Sequence, residues 1–161
     1  MANFRPVVFN IGGEKYGVYI GDVRGIERMQ EISRIPNASR HIKGVINLRG
    51  DVIPVFSIRS KFGLEEIEPT LETRLIVVQS GDFLLALEVD SVEEIQNVDV
   101  EMVHDAPVII KNEETEYVKK VVSVNGKLII VIDPINVLLP SEREAIKDLL
   151  KKPEETEDAE E

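Results

Sequence analysis

Residues 44–56 read Gly44-Val45-Ile46-Asn47-Leu48-Arg49-Gly50-Asp51-Val52-Ile53-Pro54-Val55-Phe56. β-branched and aliphatic runs flank Arg49-Gly50-Asp51, so the stretch reads as two short strands folded about a turn. Gly50-Asp51 supplies the turn chemistry, because glycine tolerates the positive φ of a tight hairpin. Arg49 stands out as a guanidinium at the lip of an otherwise apolar hairpin. Pro54 cannot donate to a ladder, so it marks an edge or a bulge.

Upstream, residues 4–11 alternate loosely and end at Gly12-Gly13. The following run places Tyr16, Val18 and Ile20 on one face, which makes a hairpin. Residues 23–29 form another strand or an irregular connector. The stretch 33–39 is loop-like, with Asn37 or Ser39 capping a helical turn that reaches Ile42 and ends at Gly44. Downstream, Ser57 caps a short helix over 58–62, closed by Gly63.

An acidic connector with a proline, 64–72, is the best candidate boundary. Beyond it come a strand at 74–79, a turn at Ser80-Gly81-Asp82 and a strand at 83–89. Residues 92–100 repeat an apolar/polar pattern. Residues 103–110 are interrupted by Ala106-Pro107, and 111–116 form a charged loop. A third hairpin spans 121–132 about Asn125-Gly126, the strongest short-range hairpin signal. Asp133-Pro134 opens a short helix, Asp as cap and Pro at the first helical position. Ser141 and Glu144 read as a capping box. Ala145, Ile146, Leu149 and Leu150 then share one helical face, with Lys147, Lys151 and Lys152 toward the C-terminal end. From Pro153 onward the chain is acidic, lacks large apolar residues and is expected to be disordered.

The halves share a plan. Each has a Gly-turn hairpin, a Val-led strand (Val23-Arg24-Gly25-Ile26; Val92-Glu93-Glu94-Ile95), a broken connector, a second hairpin and a capped short helix. Two small barrels of about five strands each explain this, at 5–65 and 73–139, followed by a C-terminal helix at 140–152 and the tail at 153–161. Halves this small are marginal alone. They are expected to share an apolar interface or exchange a strand, and to fold together.

The 161 residues are 43% hydrophobic, with 5% aromatics and no Trp, so the core is mostly Val, Ile and Leu. The absence of Cys excludes a disulfide framework, a thiolate metal site and a cysteine nucleophile. No apolar run approaches the roughly 20 residues of a membrane helix, and no secretory signal opens the chain. The expectation is a soluble intracellular protein, complete from Met1 to its acidic end. A net charge of −11 argues against general nucleic-acid binding. Residues 1–64 carry 10 Lys+Arg against 5 Asp+Glu, whereas 65–161 carry 9 against 25. Chance plus the acidic tail explains this polarity, or it serves contact with a charged partner.

Catalytic signals are absent. His41 and His104 lack short-spaced ligand partners, so no metal site is expected. Ser39 and Ser57 read as caps without a nucleophile elbow. Gly12-Gly13 precedes no helix and is not a phosphate cradle. No carboxylate sits in an apolar stretch that would raise its pKa, and helix capping accounts for Asp133. Arg49 is either a surface arginine at a hairpin tip or a recognition residue. In the second case rigid strands hold its fork for a partner's carboxylate or amide, and Val45 and Leu48 add contact area.

The run from Ile42 to Val55 resembles the signature of the CheW family of bacterial chemotaxis adaptors. Ile35-Pro36-Asn37-Ala38, Phe62-Gly63 and 126–133 also match, and the resemblance covers roughly 5–150. It implies a non-enzymatic, all-β scaffold of two SH3-like five-stranded β-barrels packed together, without a cofactor. It also implies a cytoplasmic protein at the inner face of the membrane that couples chemoreceptors to the histidine kinase CheA. The receptor's cytoplasmic helical hairpin tip would dock between barrels, with no direct membrane insertion. The kinase's regulatory domain has the same fold and would join barrel to opposite barrel through residues the resemblance does not name. On matching positions, Arg49 and Gly44 would belong to the receptor-binding surface, with Val23 at its apolar edge and Val45, Asn47 and Leu48 shaping it. Two positions depart. Many relatives have Glu where Gly25 sits, so no ionic contact is carried over there. Many have Asp where Ser57 caps, and Ser57 keeps that chemistry.

Two other readings stand beside the adaptor. A kinase regulatory domain, or a relative that normally carries a receiver domain, would need further residues for its other domains. A small-barrel enzyme or oligonucleotide binder would want aromatics on one strand face, whereas the five Phe and three Tyr are scattered.

Overall fold

The structure is a computed structural model that describes residues 3–36, 38–93, 98–105 and 117–160. Its strands are β1 (Asn3–Phe4), β2 (Pro6–Ile11), β3 (Glu14–Tyr19), β4 (Val23–Arg28), β5 (Ile42–Leu48), β6 (Asp51–Ser57), β7 (Arg74–Ser80), β8 (Phe83–Val89), β9 (Ser91–Val92), β10 (Val98–Asp99), β11 (Val103–Asp105), β12 (Val118–Val124) and β13 (Lys127–Ile132). Helix α1 is Ile58–Lys61 and α2 is Pro140–Glu160. The Ala106-Pro107 break and the charged loop 111–116 lie outside the described residues.

The fold is all-β, two small barrels packed together. One sheet has the order β4-β7-β8-β6-β5 and the other β11-β12-β13-β3-β2-β9, while β1 pairs with β10. The second sheet thus has six strands, the last only two residues long. These sheets do not divide the chain at 65–73. Hairpin β2–β3 lies beside β13, and hairpin β7–β8 lies between β4 and β6. Each half donates its leading hairpin to the other half's barrel. The pairings are reciprocal: β6 runs parallel to β8 and β13 parallel to β3, while β4 pairs with β7 and β9 with β2. Contiguous boundaries at 5–65 and 73–139 therefore do not follow the sheets. A hairpin turn is read from local residues, whereas the choice of neighbour is decided by which apolar faces meet.

Those faces explain the exchange. Strand alternation sends successive side chains to opposite sides, and here both sides are buried. Leu75 and Val77 of β7, Ala86 of β8 and Val55 of β6 fill the first barrel. Their neighbours Ile76, Val78, Leu85, Leu87 and Phe56 face a larger core, which also takes Val7, Phe9, Ile11 and Ile132 from the second sheet. Val8, Val122, Ile129 and Val131 fill the second barrel. The largest core thus lies between the barrels. A ladder of half the aromatic side chains also spans them: Phe9 to Tyr16 at 6.0 Å, Tyr16 to Phe62 at 5.0 Å and Phe62 to Tyr117 at 5.3 Å.

Asp90, where the chain crosses between barrels, is pinned. Arg59 of α1 grips its carboxylate at 2.9 and 2.6 Å, and the Gly12 amide donates to it at 2.9 Å. Burial works against the Asp90 charge, but the Arg59 and Gly12 hydrogen bonds outweigh it and hold its pKa below the ordinary value. The Arg59 pKa is raised, first by its hydrogen bond to Asp90.

Ser57 caps α1, accepting from the Ser60 amide at 3.1 Å. Residues 23–28 form a strand rather than an irregular connector. Three expected helical features differ. At 38–42 there is a turn in which Ile42 N–H donates to Ser39 C=O at 2.9 Å. The Ser39 hydroxyl is engaged by Glu142 at 2.9 Å instead of capping, and Asn37 lies outside the described residues. After Asp133 a single turn forms, with Val137 N–H donating to Asp133 C=O at 3.0 Å. It stops there because Val137 and Leu138 are drawn into the inter-barrel core. Helix α2 starts at Pro140, and Glu142 accepts from the Leu139 amide at 2.8 Å. This single bond is half of a capping box, two residues before the expected one, because Pro140 fits the first helical position. The helix runs on to Glu160, through the stretch whose composition predicts disorder. Glu and Ala there are good helix formers, which offsets the lack of apolar anchors.

Pro54 lies in the strand interior, but immediately before parallel pairing to β8 begins at Val55. The partner of Pro54 on β5 is Val45, and the bulge lies further along the pair, between Ile42 and Gly44 opposite Phe56 and Val55.

Candidate functional site

Strands β5 and β6 meet through a two-residue loop, Arg49-Gly50, because Leu48 pairs with Asp51. Asp51 is thus the first residue of β6 and not part of the turn. Arg49 has φ 51° and Gly50 φ 91°. Positive φ at both central positions is the type I′ hairpin turn, whose twist matches that of paired strands. Asn47 Oδ1 accepts from the Gly50 amide at 3.0 Å and braces the loop. The corresponding turn in β12–β13 holds Asn125 at φ 50° and Gly126 at 78°. Asparagine tolerates that region, whereas an arginine there costs on the order of 1 kcal/mol. The first barrel thus places a strained arginine at its tip, with its side chain 76% exposed.

Among the described residues the Arg49 guanidinium has one ion-pair partner, Glu27, at 3.5 Å. Strands β4 and β5 are the two edges of the five-stranded sheet, so this pair spans the closure of the barrel. On β4, Val23, Gly25 and Glu27 alternate with exposed Arg24, Ile26 and Arg28. A side chain at Gly25 would begin 3.2 Å from the Glu27 carboxylate. Glu27 therefore leans across the spot that a residue at 25 would occupy. Sequence reasoning missed Glu27; the available signal was its place two residues from Gly25, on the same strand face.

The other expected site residues separate. Asn47 is exposed, while Val45 and Leu48 are half-buried. Leu48 packs on the first-barrel core. Gly44 is buried, not at the surface. Its φ is 152°, and a Cβ there would lie 2.2 Å from the Ser33 carbonyl. That close approach lets Ser33 and Val45 exchange two hydrogen bonds of 2.9 Å, covering the edge of β5. Val23 packs against the inter-barrel core, at the end of β4 opposite Glu27. The hairpin thus gathers Val45, Asn47, Leu48 and Arg49; Gly44 shapes it from beneath, and Val23 lies apart, about 13 Å along β4 from Glu27.

The arrangement offers a braced turn, an exposed fork of donors and flanking apolar area. His41 sits elsewhere, its Nδ1 2.6 Å from the Ser60 hydroxyl and its ring edge-on to Phe56. Burial pushes its pKa down, against the Glu142 charge, which raises it. Among the described residues no group of three His, Asp or Glu side chains is placed to hold a metal ion.

The family model described as CheW-like domain matches residues 5–140. The chemotaxis protein CheW of Klebsiella aerogenes is 32% identical over 146 residues, 91% of this chain and 87% of that protein. The chemotaxis protein CheW of Bacillus subtilis is 32% identical over 134 residues, 83% of this chain and 86% of that protein. The crystal structure of a CheW scaffolding protein from Thermoanaerobacter tengcongensis matches with a TM-score of 0.80 at 28% identity, covering 88% of this chain and 96% of that one.

Proposed function

The chain belongs to the CheW-like family, and on that premise we propose that it is a non-enzymatic chemotaxis adaptor coupling chemoreceptor tips to the histidine kinase CheA. The observation that carries the reading is Arg49, a strained and exposed guanidinium on a braced turn. A backbone cost retained at an exposed tip favours a role for that side chain outside the fold. The fork suits a carboxylate or amide on the receptor's cytoplasmic hairpin. Glu27 holds it in place until the partner's acceptor arrives. Val45 and Leu48 supply apolar contact, Asn47 fixes the turn, and Gly44 sets the path of β5. Val23 extends the surface along β4.

Two barrels of like plan give the adaptor separate faces, which suits joining the kinase's regulatory domain barrel to barrel while a receptor is bound. The adaptor works in the cytoplasm, reaching the membrane's inner face through receptors. None of the described helices is long and apolar enough to cross a membrane. Titrating the full chain with a soluble receptor-tip hairpin and with the kinase regulatory domain tests this. Retention of both at micromolar concentrations is the expected result; retention of neither overturns the reading.

A further inference from the structure

We propose that the groove beside connector 64–72 is a self-association surface, in which the Leu71 turn of each of two copies of this chain enters the other's groove. The groove has a volume of about 650 Å³ and an apolar wall formed by Met29, Ile32, Ile35 and Ile42. Arg34 and Arg40 stand on its rim. Both are exposed and have no ion pair among the described residues. The third cation, Lys43, is already committed to Glu88 at 2.6 Å and Glu66 at 3.4 Å. An occupant must therefore bring apolar side chains and negative charge.

The connector of this same chain has that chemistry. Leu71 is 97% exposed, and Leu64 and Ile67 are 40% and 45% exposed. Glu65, Glu68 and Glu72 lie between and beside them, all exposed. Leu71 is presented on a fixed turn. The Thr73 amide donates to Thr70 C=O at 3.2 Å, the Thr70 amide to Thr73 Oγ1 at 2.8 Å, and the Glu72 amide to Thr70 Oγ1 at 3.1 Å. A fully exposed leucine on a braced turn is a knob without a hole in its own chain.

Knob and groove are adjacent, since Pro69 lines the groove two residues before Leu71. Adjacent complementary patches suit a two-fold arrangement, in which each copy's knob enters the other's groove and the assembly closes as a dimer. Ile42 lies at the end of β5 away from Arg49, about 20 Å along the strand. At its other end the groove reaches Met29, two residues beyond Glu27; the proposal concerns two copies of the chain alone and does not depend on what Arg49 binds.

Sedimentation equilibrium of the full chain, from about 1 µM to about 1 mM, tests it. The expected result is concentration-dependent dimerisation weakened by salt, with Leu71→Asp raising the dissociation constant by at least about tenfold. Two charge-reversed variants complete the test: Arg34→Glu with Arg40→Glu, and Glu65→Lys with Glu68→Lys and Glu72→Lys. Each should be monomeric alone, and an equimolar mixture should dimerise, because both contacts regain opposite charges. A monomeric wild type, undiminished dimerisation of Leu71→Asp, or a monomeric mixture would overturn the proposal. Capture of only a foreign acidic peptide by a monomeric wild type would also overturn it.

Discussion

Arg49 holds φ at 51°, where the matching turn of the other barrel holds Asn125 at 50°. Replacing Arg49 by Asn relieves that strain and gives the preferred Asn-Gly turn, a gain of up to about 1 kcal/mol. The lost Glu27 pair is long, 3.5 Å, with its arginine end exposed, and offsets little. The melting temperature of Arg49→Asn should therefore hold or rise by about 2–4 °C. Gly44 behaves in the opposite sense. A Cβ at 2.2 Å from the Ser33 carbonyl forces the two segments apart. Gly44→Ala should cost about 3 kcal/mol or more, read as an earlier urea midpoint, and any loss of binding should track that unfolding. The oddness of Arg49 was legible because it interrupts a local apolar pattern. Glu27 was legible only as sharing a strand face with Gly25, because its contact with Arg49 crosses the closure of a sheet.

Elements bounded by glycine turns were legible: hairpins at Gly12-Gly13, Gly50, Gly81 and Asn125-Gly126 all form. The helix expected after Asp133 is a single turn: the Asp133 carboxylate caps it, accepting from the Ile135 amide at 2.9 Å, and burial of Val137 and Leu138 ends it there. Between elements, the Asp90 crossing makes a pH prediction. Its folded pKa lies below the ordinary carboxylate value, so its contribution is present above about pH 4 and is lost as pH falls through the folded value. Glu93 is depressed by its hydrogen bond to Lys15, against desolvation, and adds in the same sense. Asp90→Asn should cost about 2 kcal/mol at pH 7, because Arg59 loses its charged partner, and acid should destabilise the variant less steeply below about pH 4. Urea melts between pH 3 and pH 7, values chosen to bracket that window, would check both the size and the slope.

Over the whole molecule, the likeness of the halves was legible in the order of hairpins; a strand exchange was one of two expectations, and which elements exchange, whole hairpins, was not legible. β2–β3 and β7–β8 read the same whichever barrel receives them, and only the shared core between barrels selects the partner. The two fragments 1–72 and 73–161 should accordingly lack cooperative thermal transitions when separate and recover β-sheet circular dichroism when mixed. A cooperative melt of either fragment alone would show that the exchange is dispensable. The adaptor reading itself rests on the exposed fork at the first barrel's tip. It is tested most directly by calorimetric titration of a soluble receptor-tip hairpin into the wild type and into Arg49→Asn. At least about tenfold weaker binding by a variant that melts no lower than wild type is the predicted result. Unchanged affinity in a folded variant would contradict it.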